Sequence, residues 1–235
     1  MGRTPSRPVS KQPDQLPLNL PHRVSLGGDD FLVAPCNRDA VAWLDKWPDW
    51  PEGRLCLVGP KSSGKTHLVS VHRAWSNATA ISARDLVSGN PEDLLGKQKA
   101  LVFDDADRDL APEAEQGLFH LMNSLRTEGG SLLMTAAQAP KRWAAVLPDL
   151  ASRLAATAVA EIREADDEVL MALLVKQFHD RQLSVSSDII SYALGRIERT
   201  HEAAAALVAK VDNVSLAGKR KINLPLVREI LHDQG

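Results

Sequence analysis

The sequence predicts an α/β protein in which a parallel five-stranded sheet lies between helices and is followed by an all-helical lobe. Two observations predict this. Up to Ile162, short apolar runs alternate with amphipathic stretches, as expected of strands buried on both faces by helices. Beyond Ile162 the strand signals stop and only helical periodicity continues. A chain of 235 residues, 44% of them hydrophobic, can bury the core this requires.

The elements follow in order. Residues 1–24 hold five of the 14 prolines (Pro5, Pro8, Pro13, Pro17, Pro21) and few large apolar residues, so they read as a flexible tail. Residues 25–165 form the sheet-bearing core, and residues 166–235 form the helical lobe. Asn37 followed by Ala40, Val41, Leu44 and Trp47 has helical spacing, with Asn37 placed to cap it. The strands are predicted at Leu55 to Val58, Ala78 to Ile81, Ala100 to Phe103, Ser131 to Thr135 and Thr157 to Ile162. Helices are predicted at Thr66 to Ser76, Pro112 to Arg126 and, shorter, near Lys141 to Val146. In the second lobe Glu168 to Asp180, Asp188 to Arg196, Glu198 to Asp212 and Leu224 to His232 read as four helices. The run Ala203 to Ala206 favours helix strongly, and Gly218 marks a turn.

Charge and composition exclude several functions. With 28 Lys plus Arg against 30 Asp plus Glu, the net charge of -2 creates no global field for DNA or an acidic membrane. Two cysteines, Cys36 and Cys56, lack metal spacing and point to a reducing cytoplasm. No apolar run approaches a membrane span, so no membrane partner is expected. The seven histidines show no ligand spacing. The five tryptophans fall mostly at helical spacing with other apolar residues and read as core. Lys219-Arg220-Lys221 reads as a solvated loop.

The strongest motif is Gly59-Pro60-Lys61-Ser62-Ser63-Gly64-Lys65-Thr66, which fits G-x-x-x-x-G-K-[ST] between a strand and a helix. Its glycines let the loop bend so that backbone N–H groups face phosphates. Lys65 reaches the terminal phosphate oxygens, and the Thr66 hydroxyl is a magnesium ligand. Leu101-Val102-Phe103-Asp104-Asp105 is a buried strand ending in two acids. Beside a phosphate loop, Asp104 is the candidate second holder of Mg2+, and Asp105 the acid that polarises the attacking water. The cofactor expected is ADP or ATP with Mg2+.

Gly64-Lys65-Thr66-His67-Leu68, the Asp104-Asp105 pair, the helix stretch Leu118 to Leu125, and Leu147-Pro148-Asp149-Leu150-Ala151-Ser152-Arg153-Leu154 resemble the AAA+ ATPases of the DnaA clade. The resemblance runs from about Phe31 to Leu231 and is nearest to the DnaA regulatory inactivator, or Hda-type, family. It implies an AAA+ core with a helical lid. The end at Gly235, soon after Val227-Arg228-Glu229-Ile230-Leu231, implies that the initiator's C-terminal DNA-binding domain is not part of the chain.

Residue by residue, the resemblance makes Arg153 an arginine finger that reaches the nucleotide of a neighbouring subunit. The bland reading is a surface arginine paired with Asp149. Arg199 matches the lid arginine that contacts nucleotide in the same chain, and His67 belongs to the nucleotide-binding set. Where the clade places an acid after the fourth strand, this chain reads Thr135-Ala136-Ala137-Gln138, leaving Thr135 or Gln138 for that polar contact. Autonomous hydrolysis is accordingly expected to be weak or absent. Asn37 is either a helix cap or an adenine-side residue.

In the tail, Gln15-Leu16-Pro17-Leu18-Asn19-Leu20 resembles the hexapeptide with which bacterial replication proteins bind the β sliding clamp of DNA polymerase III. Leu16, Leu18 and Leu20 offer apolar anchors in an extended form that Pro17 favours, and Gln15 offers an amide. The resemblance thus implies a negative regulator of replication initiation that stimulates hydrolysis of ATP on DnaA. Its partners would be DnaA, the clamp, DNA indirectly through the clamp, and a second copy of itself. It would be cytoplasmic and associated with the nucleoid through the clamp. The alternatives are a helicase loader of the DnaC or IstB kind, and a nucleotide-binding adaptor without a hydrolytic role.

Overall fold

A computed structural model of the chain describes residues 33–96, 99–218 and 220–232. The tail and its Gln15 to Leu20 segment lie outside them. Among the described residues the sheet has five parallel strands: β1 (Arg54–Val58), β2 (Thr79–Ala80), β3 (Ala100–Phe103), β4 (Ser131–Ala136) and β5 (Ala158–Glu161), in the order β2-β3-β4-β1-β5. All five predicted strands are present. β2 is shorter than the predicted Ala78 to Ile81, although Ile81 N–H still donates to the Val102 carbonyl at 2.8 Å.

Parallel strands need covered faces, and the alternation along β1 supplies both. Leu55 and Leu57 join Val102, Leu133 and Ile162 in one core, closed by α1 (Arg38–Leu44) and α2 (Lys65–Ser76). Cys56 and Val58 join Leu101, Phe103 and Met134 in the other. This second core is closed by α3 (Ala83–Ser88), α4 (Pro91–Leu95) and α6 (Pro112–Glu128), with the four-residue α5 (Ala106–Asp109) at the end of β3. Leu118, Leu121 and Leu125 of α6 are buried at helical spacing, each worth ~1.5 to 3 kcal/mol of transfer free energy. Gly117 allows α3 to approach α6, because a Cβ there would stand 1.8 Å from the Leu86 carbonyl oxygen.

Two expectations are corrected. The first helix stops at Leu44, and Asp45 to Pro48 form turns that return Trp47 to the core. Lys141 to Val146 is not a helix. Only a short 3-10 turn forms at Pro140–Arg142, and the helix comes later as α7 (Pro148–Ala155), where proline at the first position suits a helix start. Glu115 of α6, 2% exposed, holds the segment entering α7. Its carboxylate accepts from Val146 N–H at 2.8 and 2.9 Å and from Leu147 N–H at 2.8 Å.

The lid contains α8 (Asp167–Asp180), α9 (Ser187–Leu194), α10 (His201–Gly218) and α11 (Leu224–His232), matching the four predicted helices. The third starts at His201 rather than Glu198 and extends to Gly218, past the predicted end at Asp212. Leu170, Leu174, Phe178, Val208, Leu226 and Ile230 are among the residues of their shared core. Arg220 pairs with Glu229 at 2.9 Å, so this member of the basic cluster is a lid contact.

Most tryptophans pack as predicted. Trp50 is buried, while Trp43, Trp47 and Trp143 are half-buried against the two cores of the sheet. Trp75 is the departure, 44% exposed at the end of α2. It stacks edge-on against Trp47 at 5.1 Å between centroids and His72 at 6.0 Å, and Trp50 covers His72 at 5.3 Å. Burial lowers the His72 pKa to about 4.

Candidate functional site

The phosphate loop leaves β1 at its C-terminal end, where ligands gather in open parallel sheets. Gly59 is confined there, since a Cβ would lie 2.6 Å from the Ile162 carbonyl oxygen. Its N–H donates to the Ala136 carbonyl, tying the loop to β4. Ser62 and Gly64 both have positive φ, 61° and 91°, and Gly64 is the residue before α2. A Cβ on Gly64 would meet nothing within 4 Å. The backbone turn, rather than crowding, therefore asks for glycine, and the loop stays open toward the cavity beside it.

Lys65, 7% exposed, folds back so that Nζ donates to the Gly59 and Pro60 carbonyls, both at 2.8 Å. Ser63 Oγ is buried without a hydrogen-bond partner. A buried cation with movable contacts, an orphaned hydroxyl and an open glycine turn fit a polyphosphate chain.

The acids lie across the cavity. Asp104 accepts from Thr66 Oγ1 at 3.1 Å through one oxygen and from Thr135 Oγ1 through the other. Thr135 is fully buried and its hydroxyl also accepts from Asp105 N–H at 2.8 Å. Thr135 is thus the polar residue of β4 that reaches the acid pair. Gln138 instead lends backbone: Asp107 Oδ2 accepts from Ala137 N–H at 2.8 Å and Gln138 N–H at 3.2 Å. Thr66 and Asp104, already in contact, are the pair that could hold Mg2+ together with phosphate oxygens and water. Among the described residues, no group of three or more His, Cys, Asp or Glu could hold a metal.

Lys61, Ser62, Gly64, Lys65, Thr66 and Asp105 line one cavity of about 280 Å³, together with Arg108 and Ala137. A second cleft runs from Ser63, Gly64 and His67 to the lid, where Arg199, Thr200 and His201 close it. Pro60 joins Lys61 and Ser62 on the outer side of the loop, again facing Arg199. His67 and His201 stack across this core–lid cleft at 5.1 Å. Asn37 lines the cleft as well. Its side chain does not cap α1; Oδ1 accepts from Ala34 N–H at 2.8 Å. Arg199 sits 2.9 Å from Asp167, an ion pair within the lid.

Arg153 is elsewhere. It occupies the last turn of α7, lines neither the loop cavity nor the core–lid cleft, and stacks over the Phe119 ring at 4.9 Å. The contact described for Arg153 is this aromatic one, and not the pairing with Asp149 that was the alternative reading. Beside it, a cavity of about 330 Å³ is lined by Phe119, Leu147, Pro148 and Asp149, and Val146 is 70% exposed. Sequence reasoning missed Arg108, Asp107, His201 and Glu115. Arg108 and Asp107 adjoin the acid pair and could have been found by following the chain one turn past it. Glu115 and His201 gave no local signal, because their partners are 31 and more residues away.

The chain is similar to known proteins over both lobes. Residues 166–231 match the family model described as Hda, lid domain. The chromosomal replication initiator protein DnaA of Rippkaea orientalis is 25% identical over 211 residues, covering 80% of this chain and 47% of that protein. The chain therefore spans about half the length of this curated relative. Domain III of the Thermotoga maritima replication initiation protein DnaA superposes with a TM-score of 0.71 at 17% identity, covering 87% of this chain and 94% of that one. AMPPCP-bound DnaA from Aquifex aeolicus superposes at 0.67 and 17% identity, covering 80% and 65%. At these identities the structural matches establish the fold alone, an AAA+ core bearing a helical lid.

Proposed function

From the premise that the chain is a DnaA-clade AAA+ protein related to Hda, we propose that it is a negative regulator of replication initiation. In this reading it binds an adenine nucleotide, docks on the β sliding clamp through Gln15, Leu16, Leu18 and Leu20, and presents Arg153 to ATP bound on DnaA. DNA is met through the clamp, and a second copy of the chain is a further candidate partner. The observation that carries the reading is the position of Arg153, held on α7 with its guanidinium over Phe119 and away from the chain's own phosphate loop. A guanidinium there cannot serve its own nucleotide, yet it can meet that of a core packed alongside. It supplies a fixed positive fork to charge that develops on a transferring phosphoryl group.

Within the chain's own site, Gly59 to Thr66 would hold the phosphates, His67 and Arg199 would border the nucleotide, and Thr66 with Asp104 would hold Mg2+. A bound nucleotide would supply phosphate charge to the loop. Lys65 would bind that charge, and Asp104 and Thr66 would orient the cation. Asp105 would polarise a water, although its N–H is engaged by Thr135 and its carboxylate faces Arg108 at 3.9 Å. The run Thr135-Ala136-Ala137-Gln138, with no acid after β4, suits a site that binds nucleotide with little turnover of its own. The AMPPCP on the Aquifex aeolicus relative supports the adenine assignment.

The test is turnover of DnaA-bound ATP with clamp, DNA and this protein omitted in turn, repeated with Arg153→Ala and Arg153→Lys. Stimulation should require all three components and be suppressed in Arg153→Ala. It should be restored in part at most by lysine, whose point charge lacks the fork. Clamp and nucleotide binding should survive. Full stimulation by Arg153→Ala removes the finger role, and stimulation without clamp removes the tether.

A further inference from the structure

Arg108 stands on the cavity wall opposite the phosphate loop, and none of the roles above uses it. The cavity has Gly64, Lys65 and Thr66 on one side and Asp105, Arg108 and Ala137 on the other. The backbone carrying Arg108 is fixed at both ends of α5. Asp105 turns the chain with a φ of 49°, and Arg108 N–H donates to its carbonyl at 3.0 Å. Asp107 stakes the helix to the loop after β4 through the Ala137 and Gln138 amides. The Arg108 side chain, by contrast, is 72% exposed, and its ion pair with Asp105 spans 3.9 Å, beyond hydrogen-bond reach.

Lys61 also lines the cavity, but it is carried by the loop itself rather than by the facing wall. Lys65 is seated on two carbonyls, and both Asp104 oxygens are taken by the Thr66 and Thr135 hydroxyls. Arg108 and Asp105 are the pair held loosely enough to exchange partners. A nucleotide seated with its first phosphates on the loop amides would leave a third phosphate within the cavity that Arg108 lines. We propose that Arg108 leaves Asp105 to grip this terminal phosphate, so that the site distinguishes a nucleoside triphosphate from a diphosphate by a cation of its own chain. The same exchange frees the Asp105 carboxylate only when the third phosphate is present.

This rests on the nucleotide reading of the loop, and the test separates the two. Binding of AMPPCP and of ADP, each with Mg2+, is measured by calorimetry on the full chain for the wild type, Arg108→Ala and Arg108→Lys. Arg108→Ala should weaken AMPPCP about tenfold, the range of a lost charge-assisted contact, and leave ADP within about twofold. Arg108→Lys should lie between. The melting temperature without nucleotide should not move, since the side chain is exposed. Equal losses for both nucleotides, no loss for either, or tighter AMPPCP binding by Arg108→Ala would overturn the proposal while leaving the loop assignment standing. A wild type that binds neither nucleotide removes both.

Discussion

Replacing Glu115 by alanine should loosen α7 and the arginine it presents. The carboxylate is buried and accepts from the Val146 and Leu147 amides, the two residues leading into Pro148. Hydrogen bonds to a charged group contribute ~1.5 kcal/mol or more each, so two donors give about 3 kcal/mol. Val146 is 70% exposed, which lets water replace part of this, and about 2 kcal/mol should be lost. For a chain of this size that lowers the melting temperature by roughly 4 to 8 °C. Amide exchange should accelerate at Val146, Leu147 and the first turn of α7. Glu115→Gln keeps one acceptor oxygen and should lose about half as much. A melting temperature within about 1 °C of wild type, with unchanged exchange at these amides, would refute the claim that this carboxylate positions Arg153.

Three further outcomes follow from the geometry. Lys65→Ala should abolish the rise in melting temperature that ADP gives the wild type, because binding to the folded state stabilises it by mass action; equal rises in both would remove Lys65 from the site. Thr135→Val should cost about 1 to 3 kcal/mol in urea unfolding by stranding Asp104 and the Asp105 amide, and weaken Mg2+-dependent nucleotide binding; an unaffected midpoint and affinity would count against that bracket. Burial lowers the pKa of His72 from 6.5 to about 4, so the unfolded chain takes up a proton that the folded one refuses between these values. Stability should therefore fall as pH drops through this window, by about 1.4 kcal/mol at about pH 5.5, and His72→Phe should flatten that part of the profile. A slope unchanged in the variant would assign the effect to other groups.

The centre of the sheet was legible because β1, β3 and β4 are short runs with both faces buried, and Leu55 to Val58 or Ala100 to Phe103 has no other plausible fate in water. The loop Gly59 to Thr66 was legible as a turn from strand to helix because its motif is local. The short helices were not. Ala83–Ser88 and Ala106–Asp109 last one or two turns, too few for periodicity to register. α7 was misplaced because Trp143 and Val146 imitate a helical face, whereas Pro148 marks the true start. Thr135 was named as a candidate contact, but its two hydrogen bonds, donated to Asp104 and accepted from the Asp105 amide, depend on β3 and β4 lying side by side. The stacked His67 and His201 likewise belong to different lobes and meet only through the tertiary fold.

α2 joins two regions of different character. Its first residue is Lys65, seated on the loop carbonyls, and its penultimate residue is Trp75, about 15 Å along the axis at 1.5 Å per residue. At that far end Trp47, Trp50 and Trp75 surround His72 with ring centroids 5.3 to 6.0 Å away. A rigid rod with phosphate chemistry at one end and clustered indoles at the other is an optical lever. Any movement of α2 at its loop end would change how these rings meet. The intrinsic emission of the unlabelled chain would then report the proposed arrival of nucleotide at the loop without an attached dye.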